Sequence, residues 1–169
     1  MLSPGVLASW DALRVIANMK NGAKDACRPF DEQRTGFALG EGAAAFVIES
    51  STHAQKHGRS PVAILSGYAT NCDGVHMTNP SPAGQREAMQ GALRYANLKP
   101  KDISYINAHG TATSAGDLAE AQSITEVFGE KQVPVSSTKS MHGHLLGGGG
   151  AVELLVALDV LSTERAPHT

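Results

Sequence analysis

The stretch ISYINAHGTATSAGDLAEAQSITEVF, Ile103 to Phe128, changes character halfway along. ISYINAHG is β-rich and predicts a strand that ends at His109. Asp117 to Phe128 predicts a helix. In α/β folds ligands bind at strand ends, which makes His109 a candidate site residue. Thr111 and Thr113 alternate with Ala112, so both hydroxyls can face one side. Ser114 and Asp117 have the spacing of a capping box, and Asp117 and Glu120, three apart, share a helix face. Two readings stand on these residues alone: a capping loop around a hydrogen-bonded core histidine, or a catalytic loop.

Outward from this stretch, helices and strands alternate. Ser3 to Ala17 predicts a helix, capped by Ser3 with Pro4 in first position. Asn18 to Asp31 reads as loop, and Ala43 to Glu49 as a buried strand. A short polar helix follows at about Ser51 to His57, then a strand in PVAILSGYATNCD, Pro61 to Asp73. HMTNPSPAG reads as a Pro-rich loop, and Ala83 to Ala96 as a helix with Ala88, Ala92, Leu93 and Ala96 on one side. VPVSSTK predicts a short strand, and Gly147 to Leu161 an apolar helix opening with four glycines. Apolar strands without strict alternation, interleaved with helices, predict an α/β layered fold with covered sheets.

The 169 residues are 41% hydrophobic with a net charge of −2, which suits a folded core and gives no basic stripe for nucleic acid. No signal peptide is visible, and no apolar run is read as long enough to cross a bilayer. Cys27 and Cys72 sit in no paired motif, which fits a reducing cytoplasm.

A second cluster, SSTKSMHGHLLGGGGAVE from Ser136 to Glu153, sets Lys139, His142 and His144 in a loop after a strand. A buried lysine there needs a carboxylate, and Glu120 and Glu153 are the candidates. The glycines at 147–150 allow a helix N-terminus to approach another backbone or a ligand. Three histidines also raise a metal reading, with His109, His142 and His144 as ligands; no carboxylate or thiol lies at a matching spacing, and no metal is expected.

NAHGTATSAGDLAEAQ and VSSTKSMHGHLLGGGGAVE resemble the C-terminal signature of β-ketoacyl-acyl carrier protein synthases, in particular the fatty-acid KAS II type. RPFDEQRTGFALGEGAAAFVIE resembles the segment joining the two halves of that family, and DGVHMTNPSPAG its pantetheine-side loop. The resemblance covers nearly the whole chain. It implies a thiolase-like layered fold, with residues 1–55 as the end of the N-terminal half and 56–169 as a truncated C-terminal half. The implied reaction is decarboxylative condensation of malonyl-acyl carrier protein with an acyl-enzyme in fatty acid elongation. Polyketide or nodulation ketosynthases share the motifs, and so do non-catalytic partner subunits that bind acyl carrier protein.

By motif position, His109 and His144 match the family's two histidines and Lys139 its lysine. Glu120 matches the acidic residue that holds the lysine, with Asp117 and Glu153 in support. Thr111 and Thr113 match the hydroxyls that bind the phosphopantetheine arm. The resemblance gives His142 no role. Neither Cys27 nor Cys72 lies in the nucleophile motif, so this chain alone is expected not to condense. The implied partner is acyl carrier protein, the full-length enzyme a homodimer, with no cofactor, nucleic acid or membrane. The expected location is cytoplasmic.

Overall fold

A computed structural model describes residues 2–19, 22, 26–76 and 79–169. Parts of two loops read from the sequence, residues 20, 21 and 23–25 and residues 77 and 78, lie outside the described residues.

The first helix, α1, spans Pro4–Ala12, with the Ser3 hydroxyl accepting from the Val6 amide at 3.4 Å. It stops five residues before the predicted end at Ala17. Arg14 turns left-handed (φ 55°), and the β-branched pair Val15–Ile16 then joins a parallel bridge to Phe37. The amide of Phe37 donates to Val15 and that of Ala17 to Phe37, both at 2.9 Å. Gly36 permits this approach, since a Cβ there would lie 2.3 Å from the Val15 carbonyl oxygen.

Helix α2 covers Ser51–Lys56 and α3 Pro82–Ala96, close to the predicted bounds. The two strands predicted on either side of α2 form no ladder among the described residues. Val47 is 93% exposed and Val62 86%. The second segment instead lays its small residues on α3: a Cβ on Gly67 would meet the Ala92 carbonyl at 2.4 Å.

The one sheet among the described residues is two parallel strands of two residues, β1 (Ile106–Asn107) and β2 (Val135–Ser136). Its register sets Asn107 beside Ser136, and the Ala108 amide donates to Ser136 at 2.9 Å. Helix α4, Ser114–Phe128, connects the two strands and packs on α3. Buried Ser123 donates to Gln85 there at 2.9 Å. One turn of helix, α5 (Lys139–His142), and a 3₁₀ turn (Leu146–Gly148) lead into α6, Gly149–Thr163. Leu146–Thr163, with mean hydropathy 1.4, is long and apolar enough by length and composition to cross a bilayer, which corrects the sequence reading. The helix carries Glu153, which pairs with buried Lys139.

Candidate active site

The β1–β2 register brings the end of each strand together. After β1 come His109 to Thr113; after β2 come Ser137 to Lys139. Gly110 fits against Ser137, where a Cβ would sit 2.5 Å from the Ser137 Cβ, and the Ser137 hydroxyl donates to the Gly110 carbonyl at 2.8 Å.

Helix α4 holds the histidine turn with its two carboxylates. Glu120 accepts from the amides of His109 and Gly110, both at 2.7 Å. Asp117, 1% exposed, accepts from the Ala112 amide at 3.0 Å and the Phe30 amide at 2.7 Å. Ala112 and Phe30 are both left-handed (φ 66° and 64°), a conformation that L-residues with a Cβ disfavour. Burial raises both carboxyls above their ordinary range, against these hydrogen bonds. The capping box is corrected: Thr113, not Ser114, is the N-cap and makes no side-chain cap bond. Asp117 reaches past it to the turn. The turn at Ala112 places the Thr111 and Thr113 hydroxyls 2.9 Å apart, on one side as expected.

Lys139 is 1% exposed at the start of α5. Its ammonium has three N–H bonds and three acceptors: the Glu153 carboxylate, the His109 carbonyl at 2.6 Å and His109 Nδ1 at 3.2 Å. The ion-pair partner is therefore Glu153. The expectation that Glu120 holds the lysine is corrected: Glu120 feels its charge but is engaged with the two amides of the turn.

His144 comes from the other side. Its backbone bridges Leu39 in parallel, donating to the Ala38 carbonyl at 2.7 Å and accepting from Gly40 at 3.0 Å. The Leu146 amide donates to His144 Nδ1 at 3.2 Å. The ring stands edge-on to Phe37 (5.0 Å) and to His109 (5.3 Å, 86°). Desolvation, then the charge of Lys139, lowers the His109 pKa. Desolvation, then His109 and Lys139, lowers that of His144 to about 4. Both imidazoles are neutral near pH 7. With each Nδ1 accepting a hydrogen bond, the proton sits on Nε2 in both. The site thus holds two neutral N–H donors beside a buried cation, an arrangement suited to a developing oxyanion.

His142 is engaged at both ring nitrogens, Nδ1 with the Gly143 carbonyl at 2.7 Å and Nε2 with the Thr138 hydroxyl at 2.9 Å. No group of three His, Cys, Asp or Glu converges as an ion site among the described residues. Cys72 is exposed, and half-buried Cys27 has its thiol pushed up by burial, opposite to what activates a nucleophile. Cys27 instead lines a cavity of about 950 Å³ with Phe30, Ile124 and Val135, behind the 27–31 loop.

The sequence reading did not single out Phe30, Arg34, Ser137 or the Leu146 amide. The segment RPFDEQR carries a signal for Arg34 alone: an arginine in a loop has to place its charge somewhere.

The sequence matches two family descriptions: beta-ketoacyl synthase, C-terminal domain, over residues 62–169, and beta-ketoacyl synthase, N-terminal domain, over residues 1–54. The chain belongs to the beta-ketoacyl synthase family. It is 45% identical over 166 residues to 3-oxoacyl-[acyl-carrier-protein] synthase 2 of Staphylococcus aureus, covering 95% of this chain and 41% of that protein. A beta-ketoacyl synthase structure from Burkholderia phymatum STM815 superposes with a TM-score of 0.89 at 40% identity, over 96% of this chain and 40% of that one. A type II polyketide ketosynthase, solved in complex with its acyl-carrier protein and bound to the hexaketide, matches with a TM-score of 0.87 at 33% identity, over 94% and 40%. The fold is the expected thiolase-like layered one. The chain spans about two fifths of the length of the relatives it matches.

Proposed function

We propose that this chain is the histidine-bearing part of a 3-oxoacyl-acyl carrier protein synthase, with residues 1–55 ending its N-terminal half and 56–169 forming its C-terminal half. The observation that carries the reading is the pair of neutral imidazoles, each with Nδ1 tied to a fixed donor and Nε2–H free for substrate. A malonyl thioester on the phosphopantetheine arm of acyl carrier protein enters past Thr111 and Thr113. Its C–CO₂ bond breaks, carbon dioxide leaves, and the electron pair moves onto the thioester as an enolate. His109 and His144 donate to the enolate oxygen, and Lys139 fixes His109 and adds positive charge. The enolate carbon then attacks the acyl thioester on the enzyme's cysteine, whose sulfur leaves as thiolate. Cys27 and Cys72 are not that cysteine. The substrates travel on acyl carrier protein and no further cofactor takes part. The complete enzyme is a cytoplasmic homodimer.

The test follows carbon dioxide release from carboxyl-labelled malonyl-acyl carrier protein, a step that precedes any use of the acyl-enzyme. Release that depends on both His109 and His144 supports the reading. Absence of release, or release untouched by alanine at both positions, overturns it. The second reading, a polyketide or nodulation-type ketosynthase, draws on the likeness to the polyketide ketosynthase. Competition between fatty acyl and polyketide acyl carrier proteins for the same release assay separates the two.

A further inference from the structure

Arg34 makes a set of contacts that the proposed chemistry leaves unexplained. Its guanidinium donates through Nε to the Thr113 carbonyl at 3.2 Å, through Nη2 to the Ser114 carbonyl at 2.9 Å and through Nη1 to the Asp31 carbonyl at 2.8 Å. Nε also lies 3.7 Å from Asp117 Oδ2, and the side chain is only 16% exposed. Asp117 in turn ties together two left-handed residues from distant segments, Phe30 and Ala112. The Phe30 ring reaches Gly110: a Cβ built there would lie 2.9 Å from Phe30 Cε2. The loop around 28–34 is therefore fastened to the His109–Ser114 turn at three points.

We propose that Arg34 is a positioning residue for the pantetheine arm, acting on Thr111 and Thr113 through Asp117 and the two carbonyls that begin α4. The proposal rests on the reading of those threonines as arm-binding. Ala112 must stay left-handed for the two hydroxyls to meet, and Asp117 holds its amide. Asp117 is a buried carboxylate with its pKa raised by desolvation, so it keeps its charge best with a cation beside it. The planar fork of arginine serves the carboxylate and both carbonyls at once, which a lysine's point charge cannot. Removing the fork frees the Thr113 end of the turn while His109 remains held separately by Glu120 and Lys139.

That separation defines the test. Arg34→Met is compared with the unaltered chain on two substrates, malonyl-pantetheine and the malonyl ester of ethanethiol, which lacks the arm. The expected result is a KM for malonyl-pantetheine raised roughly tenfold, with the armless ester changed less than about twofold. Arg34→Lys recovers only part of the loss. Equal losses on both substrates, or full recovery with lysine, overturn the proposal. If the unaltered chain decarboxylates neither ester, the reading of the site has failed and the pantetheine role of Arg34 fails with it; hydrogen exchange at the Ala112 amide then decides whether Arg34 holds the turn. Exchange faster by roughly tenfold in Arg34→Met, with Leu93 in α3 unchanged, supports the clasp; equal rates overturn it. Should Arg34→Met fail to fold, Arg34→Lys takes its place in both measurements: a selective loss on malonyl-pantetheine or faster exchange at Ala112 supports the proposal, and no change in either overturns it.

Discussion

In the proposed reaction His109 and His144 depend on what touches Nδ1, which leaves Nε2–H for the substrate. Each is a lost donor to the oxyanion if replaced, so His109→Ala or His144→Ala slows malonyl decarboxylation on the order of a hundredfold, about 3 kcal/mol, as read by carbon dioxide release. Lys139→Ala acts differently. It strands the Glu153 carboxylate and the His109 carbonyl together, and breaking a buried pair from one side costs about 3–5 kcal/mol. Urea unfolding and decarboxylation are both expected to show the loss, and an active, fully stable variant contradicts it. The low histidine pKa values also set a pH dependence. The unfolded chain protonates its histidines near 6.5, whereas folded His144 does so near 4. Between those values the unfolded state binds more protons, so stability rises with pH; the contribution is complete above 6.5 and is lost as pH falls toward 4. Asp117 and Glu120, raised by burial, pull the other way at the acid end. The difference in Tm between the unaltered chain and His144→Gln isolates the imidazole: it narrows on acidification across that window. A constant difference contradicts the shift.

Among the elements, glycines mark where backbones touch and where they do not. A Cβ on Gly40 would lie 2.0 Å from the His142 carbonyl oxygen, against the turn that delivers His144, so Gly40→Ala costs about 1–3 kcal/mol. Gly150, in the first turn of α6, has nothing within 4 Å, and Gly150→Ala gains up to about 1 kcal/mol of helix propensity. Denaturant midpoints of the two variants are expected to move in opposite directions. The same contrast explains what the sequence could tell. Helices α2, α3, α4 and α6 were legible because their composition and spacing are local signals, whereas the meeting of His109 with Lys139 was expected only from the family resemblance; the pairing of β1 with β2, which brings it about, joins segments about thirty residues apart. The overlong α1 was not legible, since Phe37 captures Val15 and Ile16 from twenty residues away in sequence. The strands at 43–49 and 61–73 have the composition of strands, but a ladder requires a partner backbone, and composition carries no information about one. The choice between Glu120 and Glu153 as the lysine's partner stayed open in the sequence: both carboxylates lie on helices, and the hydrogen bonds that engage Glu120 with the amides of residues 109 and 110 decide between them.

Taken whole, the molecule leaves much apolar surface wet. Val47, Ile48, Val62, Ile64 and Leu65 are all more than two thirds exposed. Large apolar side chains left exposed in such number favour association. The isolated chain is expected to bind a hydrophobic dye or to self-associate in sedimentation; a monodisperse monomer that excludes the dye contradicts this. The backbone clamp between residues 38–40 and His144 adds a constraint in time. About a hundred residues separate its two sides, so a ribosome adding 5–20 residues per second leaves roughly 5–20 s between them. Throughout that interval the nascent chain holds Phe37 and its neighbours without the ring they are shaped to receive. The candidate site thus cannot close until residue 144 has been added, and the waiting segment is a natural client for a chaperone.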